Sequence, residues 1–235
     1  MAKNDPTFLH SCILDGHGGA NFIDARSVSE WTKDQGVLWV HLDVNDEASR
    51  LWLAEHSGLD STVVESLLAD ETRPRSYSTD HGLLTVLRGV NTNPGEDPED
   101  MVSVRLWIEP DRIVSTRRRR LLSVVDTRDA LKNGIGPETS GGFLAALTGR
   151  LADRIGDFVD SIEEDVGSAE EQLGNQDQAT FRHVISALRR KVASVRRFLA
   201  PQRDALDRLC AVDNFWSATA SEIADHCRQA WGASG

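Results

Sequence analysis

Gly142–Val166 reads GFLAALTGRLADRIGDFVDSIEEDV, and this stretch decides the fold. Phe143, Leu147, Leu151, Ile155, Phe158, Ile162 and Val166 recur at spacings of three and four. Side chains at those spacings fall on one helix face, so the pattern predicts a helix of about thirty residues with one apolar stripe. Gly174–Asn175 should break it. A second long helix is expected next, with Phe181, Ile185, Leu188, Val192, Val195 and Leu199 on one face. Pro201 should kink this second helix, because proline removes a backbone donor and crowds the turn before it. A third helix is expected to begin near Thr219 and run into the C-terminus.

The two long helices carry opposite charge. Asp153, Asp157, Asp160, Glu163, Glu164, Asp165, Glu170 and Glu171 face only Arg154 as a base in the first. Arg182, Arg189, Arg190, Lys191, Arg196, Arg197, Arg203 and Arg208 stand against Asp204 and Asp207 in the second. An antiparallel hairpin would set these faces side by side, with charge helping to fix the register. The plain reading is a packing seam with solvated flanks. The sharper one is that Asp157, Asp160, Glu163 and Glu164 also attract cations.

Upstream, short strands alternate with helices. His10–Leu14 is an apolar-leaning run closed by the turn-rich Asp15–Ala20, and Val37–Leu42 reads as a compact buried strand. Asn45–Asp46 should cap a helix over Glu47–His56, which Gly58 stops. Asp60 could cap another, with Val63, Val64, Leu67 and Leu68 as its apolar stripe. Leu83–Val90 and Met101–Ile108 are β-rich runs joined by the Pro-, Gly- and acid-rich Asn91–Asp100, and Glu109–Asp111 turns the chain into a strand over Arg112–Thr116. Three consecutive antiparallel strands favour an antiparallel or mixed sheet over a parallel one. A helix over Leu121–Lys132 should end at Asn133–Gly134.

Composition narrows the function classes. With 235 residues and 40% hydrophobic content, the chain can bury a proper core. A net charge of −11 argues against nucleic-acid binding, which relies on Lys and Arg neutralising phosphates. Cys12, Cys210 and Cys227 are odd in number and far apart, which is no disulfide framework and fits a reducing compartment. The N-terminus has no apolar signal segment. No stretch approaches the roughly 20 apolar residues that a spanning helix needs, so the sequence predicts a soluble chain.

Candidate chemistry is sparse. Gly16-His17-Gly18-Gly19 lacks both dinucleotide-loop and P-loop spacing and reads as a glycine turn. His10 and Cys12 could share a strand face about 6.6 Å apart, and with His17 could ligate zinc. No paired ligand spacing supports that set. His41 reads as a hydrogen-bonded core histidine. Arg117–Arg120 is the densest positive run, either an anion site or a solvated edge. No Ser-His-Asp or Cys-His signature stands out, so the enzyme case is poor.

The order of segments resembles the CorA-like metal-ion transporter superfamily. The resemblance rests on WVHLD at 39–43, TRPR at 72–75, LRGVN at 87–91 and IVSTRRRR at 113–120. GP at 136–137, GG at 141–142 and APQRD at 200–204 complete it, and APQRD with Arg208-Leu209 is most similar to the zinc-transporting ZntB branch. It spans residues 10 to 212. The resemblance implies an αβα sandwich around a mixed, largely antiparallel sheet over residues 1–138. It further implies a long antiparallel helical hairpin over 139–213 and the start of a stalk helix over 214–235. It implies the cytoplasmic part of a homopentameric transporter at the inner membrane, with zinc or another divalent cation as cargo. No cofactor and no nucleic-acid partner are expected, and the membrane is reached only through helices beyond the chain. The family's pore tripeptide is missing, so the chain is expected to stop before its pore. A stand-alone interaction or metal-sensing module is the competing reading.

Overall fold

The computed structural model describes residues 8–70, 73–171 and 178–210. Among the described residues seven strands form one sheet: β1 (Phe8–Leu14), β2 (Ala20–Phe22), β3 (Leu38–Asp43), β4 (Arg75–Ser78), β5 (Leu83–Gly89), β6 (Val102–Ile108) and β7 (Arg112–Arg117). Their order is β2-β1-β3-β7-β6-β5-β4. β3 and β7 run parallel and every other neighbouring pair is antiparallel. The sheet is mixed, and β5-β6-β7 are the three antiparallel strands anticipated above.

Helices cover both faces. On one lie α1 (Ala25–Glu30), α2 (Glu47–Glu55) and α3 (Ser61–Leu68). Their Val28, Trp52, Leu53, Val63, Val64 and Leu67 pack on Leu38, Val40, Leu42, Leu84, Trp107 and Val114. On the other lie α4 (Leu122–Lys132), α5 (Ser140–Glu171) and the end of α6 (Gln178–Cys210). Phe143, Leu144, Leu147, Leu151, Leu206 and Leu209 meet Trp39, Leu87, Leu106 and Ile113 there. Alternation along β3 sends Val40 and Leu42 to one layer and Trp39 to the other. The central strands β3, β5, β6 and β7 read as nearly continuous apolar runs because helices cover both their faces, whereas the edge strands β2 and β4 are largely exposed.

Local chemistry explains most boundaries. The Asp46 carboxylate accepts from the Ser49 N–H at the start of α2, and Asp24 does the same for α1 through Ser27. Asp60 occupies the N-cap of α3 but makes no side-chain capping bond, unlike the cap expected of it. The carbonyls that end α3 are met from the sheet. Thr116 Oγ1 donates to Leu67 O at 2.9 Å, Arg118 to Leu68 O at 3.0 Å and the fully buried Arg105 to Ala69 O at 2.7 Å. Cationic donors suit the negative end of a helix.

α5 serves two purposes. Its first half belongs to the sheet core, and its second half forms a further cluster in which Ile155, Phe158 and Ile162 meet Val195 of α6 with Val90 and Met101. The crossing is close at Gly89, where a Cβ would lie 2.6 Å from Leu151 Cδ2 and 2.8 Å from Leu121 Cδ1. α6 continues as one helix through Pro201 to Cys210, so the expected kink does not end it. Buried Gln202, Ala205 and Leu206 hold the segment past the proline against the domain. The expected break at Gly174–Asn175 and the helix from Thr219 lie outside the described residues. No helix among the described residues is long and apolar enough to cross a membrane.

Candidate functional site

The acidic side chains named from the sequence stand on the second half of α5. Asp157, Asp160, Glu163 and Glu164 are all exposed, while Ile155, Phe158 and Ile162 between them are buried. The helical period alone produces this division. Between α5 and α6, Lys191 Nζ reaches Asp165 Oδ2 at 3.0 Å and lies 5.5 Å from the Phe158 ring centre. It is the one ion pair linking the two helices among the described residues. Apolar contact, more than charge, therefore sets how the hairpin packs. Beside it opens a cleft of about 500 Å³ bounded by Asp97, Glu99, Asp165, Ser168, Leu188 and Lys191.

The arginine run disperses among carboxylates. Arg117 Nε lies 3.8 Å from Asp43, and Arg118 pairs with Asp70. Arg119 reaches Glu96 at 2.9 Å and Asp100 at 2.6 Å, which holds the Asp100 carboxyl below its usual range. Arg120 is exposed, and its carbonyl accepts from Asn93 Nδ2 at 3.1 Å. Carboxylates of the chain already meet three of the four side chains. Asn91 and Asn93 join this network, so it fastens the long β5–β6 loop to the start of α4.

His10 and Cys12 share the sheet face that looks toward α4 and α5, and His17 sits exposed in the glycine turn. Burial pushes the Cys12 thiol up to about 12, which disfavours the thiolate that zinc takes. The His10 ring stacks on His41 at 5.6 Å. Burial first, then Arg128, Arg117 and Lys132, lowers its pKa to about 4. That positive surrounding repels a dication. Among the described residues no group of three or more His, Cys, Asp or Glu is placed to hold a metal.

His41 is a hydrogen-bonded core histidine: fully buried, with Nδ1 2.9 Å from Ser115 Oγ. That hydroxyl also accepts from Trp39 Nε1 at 2.8 Å. His41 and Ser115 are 0% and 1% exposed, so this pair cannot meet a substrate.

Two segments quoted from the sequence for separate reasons meet in space. Gln202 of APQRD, 2% exposed, accepts from the Arg88 backbone N–H of LRGVN at 2.6 Å. The Arg88 guanidinium lies 4.0 Å from the Phe198 ring centre and donates to Met101 O at 2.6 Å. The last β4–β5 pair is Arg75↔Val86. α6 thus supplies the acceptor that a longer β4 would have given. Gln202→Leu should leave that buried N–H unpaired and lower stability by about 1–3 kcal/mol. The check is the urea midpoint at unchanged slope.

The arrangement is a three-layer α/β domain that projects a long charged helix pair, with no catalytic or metal centre among the described residues. Residues 34–231 match the family described as CorA-like Mg2+ transporter protein. The chain belongs to this CorA-like family, which is one of ion transporters and not of enzymes. The divalent cation transporter CmaX of Pseudomonas aeruginosa is 34% identical over 149 residues, 63% of this chain and 45% of that protein. The zinc transport protein ZntB of Enterobacter sp. is 34% identical over 150 residues, 64% of this chain and 45% of that protein. The chain spans less than half the length of these curated relatives. The solved structure of full-length CmaX superimposes with a TM-score of 0.81 at 28% identity, covering 98% of this chain and 74% of that one. The ZntB cytoplasmic domain from Vibrio parahaemolyticus gives 0.77 at 23% identity, covering 96% and 91%.

Proposed function

We propose that this chain is the cytoplasmic domain of a divalent-cation transporter at the inner membrane, with zinc as the cargo. Five copies form the intracellular funnel, and the pore is built by segments outside these 235 residues. The observation that carries the reading is the exposed acidic face of α5, anchored by its first half in the domain core. Relatives named for zinc and divalent-cation transport support the choice of cargo.

Residues 1–138 act as the globular body, 139–213 as the arm and 214–235 as the lead toward the membrane. Zinc is substrate here, not a resident cofactor. The arm raises the local concentration of divalent cations, because clustered like charge focuses the field in the space it faces. Nucleic acid is no partner of so acidic a chain.

Replacing Asp157, Asp160, Glu163 and Glu164 by Asn and Gln in the full-length protein should lower zinc flux into vesicles about tenfold at low salt. The difference should shrink as ionic strength rises. A flux and salt dependence equal to wild type would sink the electrostatic part of this reading.

A further inference from the structure

α6 carries a second apolar seam that its contacts with α5 and the sheet cover at the Leu199 end and leave open around Val192. Ile185, Val192 and Leu199 stand seven residues apart, and Arg182, Arg189, Arg196 and Arg203 stand seven apart beside them. Val192 is 44% exposed and Ile185 and Leu199 are half-buried, while all four arginines are exposed. No ion pair engages Arg182, Arg189 or Arg196 among the described residues. An apolar seven-residue repeat flanked by charge is the pattern by which one helix packs on another.

α5 bears the counterpart. Val159 and Val166 stand seven apart, as do Glu163 and Glu170 beside them. Val166 is 37% exposed, Val159 is half-buried and both glutamates are exposed. Inside the hairpin Phe158, Ile162 and Val195 pack together and Val159 and Leu199 pack against them, so what stays open of the two seams is the part around Val166 and Val192.

We propose that the α6 seam of one copy packs on the α5 seam of a second copy, arginines against glutamates around Val192 and Val166. The inference rests on the reading that the protein works as an assembly of copies, and it names the surfaces that meet. Opposite charges recur at the same seven-residue interval, so several pairs form in one register. Pairing α5 with α5 or α6 with α6 would oppose like charges and is penalised. Two different patches meet, so the contact can pass from copy to copy around a ring. The pairs are solvent-exposed and individually weak, so salt should loosen the contact.

Sedimentation velocity of the 235-residue chain tests this. Wild type should self-associate at low salt and separate at high salt. R189E/R196E and E163R/E170R should each weaken self-association by on the order of 100-fold. An equimolar mixture of the two should associate again, since each then offers the sign the other needs. Circular dichroism of both variants confirms that the helices persist. A wild type that stays monomeric, or a mixture that does, overturns the proposal. Association that appears only after removal of residues 211–235 also overturns it, by assigning the seam to the chain's own C-terminal segment. Cross-linking separates this idea from the one it rests on. Full-length R189E/R196E that assembles like wild type refutes this contact and leaves the assembly of copies in place.

Discussion

Lowering the pH from 7.5 to 4.5 should destabilise the chain by about 1–2 kcal/mol through His10, the solvent that reaches its half-buried ring screening part of the shift, with His41 adding to the loss. The folded pKa of His10 is about 4 against an ordinary 6.5. Burial is the largest cause, followed by Arg128, Arg117 and Lys132. His41 shifts the same way, first by burial and then by His10 and Arg117. The fold favours the neutral rings and the unfolded chain takes up protons more readily. Stability is therefore complete above pH 6.5, falls as the pH drops through that value, and is lost in full near pH 4. Carboxylates held low in the fold, such as Asp100, act only nearer and below 3.8, so the upper window belongs to histidine. Urea unfolding at a series of pH values reads the effect. His10→Gln should flatten the profile between pH 6.5 and 4.5, and an equal slope in wild type and variant would refute the assignment.

Trp39→Ala should cost about 3–5 kcal/mol, the range for removing a large buried aromatic side chain. Trp39 is 0% exposed and its ring lies 4.7 Å from that of Phe143, in the first turn of α5. Its Nε1–H donates to Ser115, so the truncation opens a cavity and removes a donor from the buried hydroxyl. Trp39→Phe keeps most of the volume and loses the N–H, and should cost about 1–2 kcal/mol. Urea midpoints of the two variants at unchanged slope measure the difference. Near-equal losses would mean that the Trp39–Ser115 hydrogen bond within the sheet, not packing against Phe143 of α5, carries the contribution. A smaller loss for alanine would overturn the account.

Much of the site was legible from spacing. The exposed placement of Asp157, Asp160, Glu163 and Glu164 follows from the 3.6-residue period, because the apolar stripe between them has only one way to be buried. His41 in the core followed from its place in an apolar strand. The arginine run was seen, but not its carboxylate partners: Asp43, Asp70, Glu96 and Asp100 lie 19 to 74 positions away in sequence, and nothing local marks such pairs. Short elements were also missed. β2 and β4 have three and four residues, too few for alternation to show, although Asp24 before α1 was a readable cap.

Sequence by itself determined the long amphipathic helices, the antiparallel run from β5 to β7, the charge carried by each helix and, through seven short motifs, the family. These are local properties, written in residue spacing and type. Tertiary structure alone decided the parallel join of β3 to β7, the Gln202–Arg88 contact across 114 positions and the fate of each arginine. It also decided that the hairpin is held chiefly by apolar packing, with a single ion pair between its described residues. The physical reason is the same in each case. Which donor meets which acceptor depends on how whole layers dock, and that docking is set by burying both faces of the sheet at once.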